Sequence, residues 1–123
     1  MNLNQITVGC TDLEKAIEFY STLGLKLIVH STDHYARFIC PEGDSTFSLH
    51  VCDKVSRNET VIYFELEDLD KKVTELKEKL HFDQLPTDES WLWREAILFD
   101  PDGNKIKLFK AGENRKNPPW RIN

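Results

Sequence analysis

A chain of 123 residues is long enough for one compact domain or for two very small modules that pack together. With 40% hydrophobic and 30% charged residues it has a globular composition, which excludes a disordered chain, and no apolar run is long enough to span a membrane. A net charge of −5 argues against nucleic-acid binding.

The N-terminus and the cysteines together predict a cytoplasmic protein. Residues 1–8 lack the basic start and the apolar stretch of a signal peptide. Cys10, Cys40 and Cys52 are odd in number, widely spaced and form no Cys-x-x-Cys motif. This usage is typical of free thiols in a reducing compartment.

The first half of the chain predicts a strand, a helix and three further strands. Apolar residues alternate over residues 3–10, which indicates a half-buried strand. Thr11 and Glu14 have the spacing of a capping box, in which Thr11 accepts the N–H of Glu14, and Gly24 supplies the end of the helix. Strand patterns follow at residues 25–30, 35–40 and 47–52.

The second half repeats this order of elements. Asp12-Leu13-Glu14-Lys15 in the first helix recurs as Asp68-Leu69-Asp70-Lys71 in a second helix. The chain therefore predicts an α+β fold of two β-α-β-β-β modules, about residues 1–53 and 59–112, in a single domain over residues 1–112. The strands expected in the second module are residues 60–66, 82–85, 93–99 and 105–110.

Residues 113–123 lie beyond the repeat and predict an extended C-terminal tail. Pro118-Pro119 favours extended polyproline geometry over a helix. Because Trp120 and Ile122 would be unfavourably exposed on a free tail, we expect the tail to dock on its own domain or on a partner subunit, the alternative being a frayed end. Each module also leaves sheet edges to be covered, which favours a homodimer.

Strand alternation divides the predicted sheet into an apolar face, which packs under the helices, and a mixed face. The mixed face combines aromatic rings with a few placed polar groups, as small-molecule sites do. The alternative is that a dimer partner or the tail covers this face. Its expected ligand-binding residues are Gln5, Tyr35, Arg37, Ser48, His50, Tyr63, Glu65, Trp91, Trp93, Glu95 and Lys107.

The charges of the mixed face allow two interpretations. Arg37 and Lys107 supply positive charge. They would either pair with Glu65 and Glu95 or hold an anionic ligand, for which a guanidinium is well suited. The tryptophan side chains of the same face would stack on a flat or apolar ligand.

Two motifs point to a known family. The first is Asp12-Leu13-Glu14-Lys15-Ala16-Ile17-Glu18-Phe19-Tyr20 before Leu23-Gly24-Leu25, and the second is Asp100-Pro101-Asp102-Gly103-Asn104 before Lys105-Ile106-Lys107-Leu108. With the paired modules they resemble the vicinal oxygen chelate superfamily, also called glyoxalase/bleomycin resistance/dioxygenase, over residues 3–110. The resemblance implies a curved, cup-like mixed sheet with helices on its convex side. It leaves the function open, because members include lyases, isomerases, dioxygenases, thiol transferases and metal-free drug binders.

In metal-dependent members of that superfamily, His and Glu ligands come from the first and last strands of each half. The corresponding positions here are Gln5, Ser48, Val61 and Lys107. Hard and borderline cations need carboxylate or imidazole ligands, which this set does not supply. We therefore expect no metal at these positions and no cofactor, and a protein that binds a small molecule in the sheet cup.

The alternative is an enzyme of the lyase, isomerase or dioxygenase type. It would use a relocated divalent metal or an acid/base site formed by His50, Glu65, Glu95 and Gln5. Glu95 and His50 are the catalytic candidates in this interpretation.

Overall fold

The computed structural model describes residues Met1–Ile122, which form two compact units. The first unit contains Met1–Glu59 and Asp100–Asn104. The second unit contains Thr60–Phe99 and residues 105–122. No helix in the described part of the chain is long and apolar enough to cross a membrane.

The first unit is a four-stranded sheet with one helix. Its strands follow the order β1-β4-β3-β2, with β1 parallel to β4 and the other neighbours antiparallel. The elements are β1 (Gln5–Cys10), α1 (Leu13–Leu23), β2 (Lys26–Ser31), β3 (Tyr35–Ile39) and β4 (Thr46–Val51).

The second unit repeats this topology with the order β5-β8-β7-β6. The α+β class and the two β-α-β-β-β modules are therefore confirmed. The eight strands are hydrogen-bonded as two sheets of four, whereas the sequence interpretation expected one mixed sheet. The elements are β5 (Val61–Glu65), α2 (Leu69–Leu76), β6 (Gln84–Asp88), β7 (Arg94–Phe99), β8 (Lys105–Lys110) and a 3₁₀ helix (Gly112–Arg115).

The start of α1 differs from the predicted capping box. Asp12 is the N-cap, and its Oδ1 accepts the N–H of Lys15 at 3.1 Å. Thr11 instead donates from its backbone N–H and from its hydroxyl to the Asp102 carboxylate, the hydroxyl at 2.6 Å. The helix ends as predicted at Gly24, whose φ of 123° lies in a region that L side chains rarely adopt.

The turn Asp100–Asn104 belongs to the first unit and is organised by one buried carboxylate. Asp100 Oδ1 accepts the N–H groups of Asp102 and Asn104, both at 2.9 Å. Asp100 Oδ2 accepts the Tyr20 hydroxyl at 2.6 Å and the Asn104 side-chain amide at 2.8 Å. Four donors thus satisfy a carboxylate that is 5% exposed, as burial of a charge requires.

The apolar side of each sheet packs under its own helix. In the first unit the Tyr20 ring of α1 lies against Phe38 and Phe47, with centroids 6.1 and 4.4 Å away. In the second unit α2 packs on β6 and β8. The register places the polar residues of each sheet on the opposite side, so the predicted division into apolar and mixed faces agrees with the structure.

The segment after β8 starts differently from the extended tail expected there. Gly112–Arg115 forms a 3₁₀ helix, in which Asn114 donates to the Ala111 carbonyl at 3.1 Å. Gly112 has a φ of 56°, which permits the sharp change of direction after β8. Trp120 and Ile122 are 57% and 88% exposed in the protomer.

Candidate functional site

The mixed face of the first sheet is set by its strand register. Thr7 lies opposite Ser48, and Ser48 lies opposite Arg37 on the next strand. His50 lies two residues along β4, in register with Tyr35. Because alternate residues of a strand face the same side, these side chains share the face that points away from α1.

Hydrogen bonds join four of the predicted site residues into one chain. Gln5 Nε2 donates to Ser48 Oγ at 2.8 Å, and Ser48 Oγ lies 2.8 Å from the Tyr35 hydroxyl. Arg37 Nε then donates to the Tyr35 oxygen at 2.9 Å. Ser48 is fully buried, so its hydrogen bond fixes the hydroxyl end of the Tyr35 side chain.

The Gln5 amide orientation follows from its other contacts. Its Nε2 lies 3.3 Å from the carbonyl oxygen of Ile6, which can only accept, and its Oε1 accepts from the Thr46 hydroxyl. Gln5 and Arg37 therefore both donate toward the Ser48 and Tyr35 hydroxyls that lie between them. The hydrogen bond with Ser48, followed by that with Arg37, lowers the pKa of the Tyr35 phenol.

An ion pair lies at the centre of the mixed face of the second sheet. Lys107 Nζ lies 2.9 Å from Glu95 Oε1, with side chains 14% and 1% exposed. Glu95 Oε2 accepts the indole N–H of Trp91 at 2.9 Å. The Lys107 contact lacks hydrogen-bond geometry, so Oε1 is held by charge, without a directed donor among residues 1–122.

The pair favours the charged form of Lys107. Burial by itself lowers the pKa of Lys107, but the neighbouring Glu95 carboxylate and then Tyr63 outweigh that effect, and the net pKa is raised. Glu95 is therefore a buried counter-ion of Lys107. Its carboxylate does not reach the surface, which is a poor position for the acid or base of a reaction.

Aromatic rings surround this ion pair. The Trp93 and Phe109 rings stack with centroids 4.7 Å apart, and Tyr63 stands edge-on to both of them. Lys107 Nζ lies 5.5 Å from the Tyr63 centroid and 5.7 Å from that of Trp91. Tyr63 is 45% and Trp91 41% exposed, so each side chain is held by its contacts while part of its ring stays accessible to a ligand.

A strained turn between β6 and β7 positions Trp91. Glu89 donates its N–H to the Trp93 carbonyl at 2.8 Å, and Leu92 donates to the Glu89 carbonyl at 3.0 Å. Leu92 has a φ of 69°, a conformation that costs energy for a residue other than glycine. The indole hydrogen bond to Glu95 compensates by holding the turn against the sheet.

Glu65 supplies the other carboxylate of this face, and it forms an ion pair with a residue that sequence reasoning missed. Glu65 Oε1 lies 3.3 Å from Arg115 Nε, and the Trp93 indole donates to the Asn114 carbonyl at 3.3 Å. Arg115 and Asn114 lie in the 3₁₀ helix, within the segment that was assigned to the tail. The sequence offered Arg37 or Lys107 as the partner of Glu65, and no pattern in residues 113–123 pointed to Arg115.

The structure thus places the predicted residues in two neighbourhoods. One, in the first unit, contains Gln5, Tyr35, Arg37, Ser48 and His50. The other, in the second unit, contains Tyr63, Glu65, Trp91, Trp93, Glu95 and Lys107. The single cup formed from both halves stays a prediction.

The residues at the metal positions of the superfamily do not fit a metal ion. Gln5 and Ser48 are hydrogen-bonded to each other, Val61 has no donor atom, and the Lys107 ammonium would repel a cation. For the relocated site, Glu65 and Glu95 flank Phe109 on β8 and are each bound to a cation. No group of three or more His, Cys, Asp or Glu residues in Met1–Ile122 is arranged to hold a metal.

Fold and site define an α+β protein of paired β-α-β-β-β modules with an aromatic and polar sheet face. Residues 2–108 match the Glyoxalase/Bleomycin resistance protein/Dioxygenase superfamily, and the chain belongs to that family. The resemblance seen in the sequence is thereby confirmed.

Two relatives in sequence carry the same functional name. The chain is 27% identical to the trivalent organoarsenical cleaving enzyme of Bacillus sp. (strain MD1), over 97% of this chain and 81% of that protein. It is 30% identical to the probable trivalent organoarsenical cleaving enzyme of Bacillus subtilis (strain 168), over 93% of this chain and 83% of that protein.

Solved structures of the family share the fold. A glyoxalase/bleomycin resistance protein/dioxygenase from Nocardioides superposes with a TM-score of 0.79 at 20% identity, covering 100% of this chain and 90% of that one. The bleomycin resistance determinant encoded on the transposon Tn5 gives a TM-score of 0.76 at 15% identity, covering 91% and 99%. At these identities the likeness shows the fold alone.

Proposed function

We propose that the protein binds a small, planar organic molecule on the mixed face of its second sheet and does so without a metal at the superfamily positions. The observation that carries this proposal is the pair of exposed rings, Tyr63 and Trp91, whose centroids lie 5.5 and 5.7 Å from the Lys107 ammonium. We expect the binding protein to act as a cytoplasmic homodimer.

The rings are held in place before any ligand arrives. The Trp93–Phe109 stack supports Tyr63, and the Glu95 carboxylate fixes the Trp91 indole. A preorganised ring contributes its stacking without a large ordering cost, and an aromatic pair adds about 1 kcal/mol beyond the area that it buries. A planar ligand is therefore favoured over a flexible one.

The test is a titration with a neutral planar probe, 2-naphthol, followed by amide and indole NMR signals. We expect shifts at Tyr63 and Trp91, and about a tenfold weaker affinity in the Trp91→Ala variant. Leu85→Ala is the matched control, because Leu85 is an exposed apolar residue of the same unit on the other side of β6. Shifts that avoid Tyr63 and Trp91, or an unchanged affinity of Trp91→Ala, would refute the proposal.

A second candidate function is enzymatic, and the similarity to two organoarsenical-cleaving relatives over nearly the whole chain favours it. His50 is the exposed acid/base candidate, whereas Glu95 is buried in its ion pair. Incubation with a trivalent organoarsenical, with intact compound measured by chromatography, tests it. Loss that is faster than in buffer and is abolished in His50→Gln would favour the enzyme, and loss at the buffer rate would exclude this activity.

A further inference from the structure

We propose that the mixed face of the first sheet recognises an anionic group, a carboxylate or a phosphate, of a small-molecule ligand through the guanidinium of Arg37. This inference rests on the proposed binding function and specifies the class of ligand. It concerns charge recognition in the first unit, whereas the aromatic rings discussed above lie in the second.

The strands of this face carry no acidic residue. In a chain with a net charge of −5, a sheet face without Asp or Glu is a marked departure from the average surface. Most of its polar side chains can donate hydrogen bonds, and it carries two cations, Arg37 and, at the outer strand β2, Lys26. In the described strands of the first unit the face consists of Gln5, Thr7, Gly9, Lys26, Val29, Ser31, Tyr35, Arg37, Ile39, Thr46, Ser48 and His50.

Arg37 has no carboxylate partner in the part of the chain that the structure describes, unlike Arg94, Lys107 and Arg115 of the second unit. Lys107 is paired with Glu95, and Arg115 with Glu65. Arg94 is paired with both Asp70 and Asp88. Among residues 1–122 no acidic side chain lies within ion-pair distance of Arg37, so the pairing that would have neutralised it is absent.

The guanidinium is nevertheless held in a fixed orientation. Its Nε donates to the Tyr35 hydroxyl at 2.9 Å, and its Cζ lies 5.4 Å from the centroid of the Tyr35 ring. Tyr35 is fixed in turn by Ser48. Both Nη atoms are left without a hydrogen-bond partner in the described chain, and together they form the planar fork that matches two oxygens of a carboxylate or phosphate.

The experiment compares benzoate, phenyl phosphate and neutral benzamide as probes, with binding followed by amide NMR titration. Fragments of about ten heavy atoms bind in roughly the millimolar range, which this method measures. We expect the anionic probes to shift the signals of Arg37, Ser48 and His50, with benzamide at least about tenfold weaker. Binding of benzoate alone, of phenyl phosphate alone or of both identifies the anion and supports the proposal.

Two variants of Arg37 and one control make the test specific. Arg37→Gln should lower the affinity for the anionic probe by about ten- to hundredfold. Arg37→Lys keeps the charge but loses the planar fork, so its affinity should lie between those of the wild-type protein and Arg37→Gln. Arg57→Gln removes one exposed arginine outside this face and should leave the affinity unchanged. Equal binding of benzamide, no binding of either anion, or an unchanged affinity in Arg37→Gln would overturn the proposal.

These outcomes are independent of the aromatic site. If 2-naphthol fails to bind at Tyr63 and Trp91 while benzoate binds through Arg37, the planar-ligand proposal fails and the anion site stands. If 2-naphthol binds and neither anion does, the anion-site proposal fails and the planar-ligand proposal stands.

Discussion

The hydroxyl of Tyr20 donates a 2.6 Å hydrogen bond to Asp100 Oδ2, although 80 residues separate them in the chain. Burial and then the Asp100 charge raise the pKa of Tyr20 far above its ordinary value, so the phenol keeps its proton and acts as the donor. The bond fixes the turn Asp100–Asn104 within the first unit, beneath the sheet that carries Gln5 and Ser48.

Tyr20→Phe is expected to lower the free energy of unfolding by about 1–3 kcal/mol, because the buried carboxylate loses a donor that water cannot replace. Urea unfolding at neutral pH measures the change. Tyr63→Phe is the control, since it removes a hydroxyl from a ring that is 45% exposed, and it should cost much less. Equal losses in the two variants would contradict the role assigned to the Tyr20–Asp100 bond.

The stability of the protein should decrease at alkaline pH through Cys10. Burial, followed by the charge of Asp102, raises the pKa of this thiol from 9.0 to about 11. The unfolded chain therefore ionises first, and the free energy of unfolding falls as the pH rises from 9.0 to about 11, with no contribution from this group below that window.

Denaturant unfolding at several pH values checks this expectation. The fall should be shallower in Cys10→Ala and much less affected in Cys52→Ala, because the partly exposed Cys52 raises the pKa of Cys10 less than burial and Asp102 do. Identical pH profiles for the wild-type protein and Cys10→Ala would show that Cys10 is not the group responsible.

Lys107→Met should destabilise the second unit strongly. The substitution leaves the Glu95 carboxylate, which is 1% exposed, without its counter-ion, and an uncompensated buried charge costs about 3 kcal/mol or more. The double variant Lys107→Met/Glu95→Gln should recover most of that loss, since it removes both charges together. A double-mutant cycle in urea measures the coupling.

Arg94→Met provides the comparison for this cycle. Arg94 pairs with Asp70 and Asp88 at the surface, where solvent screens the charges, and its loss should be clearly smaller. If Lys107→Met were as mild as Arg94→Met, or if the double variant were no more stable than Lys107→Met, the Lys107–Glu95 pair would not be the electrostatic centre of this face.

The fold was predictable because its signals are local and occur twice. Alternation over residues 105–110 predicted β8 with the observed bounds, and Gly24 ended α1 as expected. The N-cap was assigned to Thr11 because Thr11 and Asp12 are both competent caps by sequence. What decides between them is Asp102, which lies 91 residues away and engages Thr11.

The pairing of charges was less predictable, because it too depends on partners that lie far apart in the sequence. Lys107 pairs with Glu95, one of the two expected arrangements, but Glu65 is taken by Arg115 from a segment that carries no strand or helix pattern. The position of Trp91 depends on Leu92 at a positive φ, and sequence patterns predict glycine or asparagine there. Long-range partners and a strained turn thus set the details of the site.

The C-terminal segment is expected to hold a homodimer together. In the protomer Trp120 and Ile122 are 57% and 88% exposed, which is unfavourable unless another surface covers them. A stable dimer should bury more than about 1,000 Å² in total. We therefore expect light scattering and sedimentation at micromolar concentration to give a dimer mass, and Trp120→Ala/Ile122→Ala to shift the protein toward monomer.

Arg121→Ala is the control, because it removes a hydrogen bond within the segment to Asn117 and leaves both apolar side chains in place. A monomer mass for the wild-type protein would contradict the dimer, and a dimer that survives deletion of residues 117–123 would show that its interface lies elsewhere.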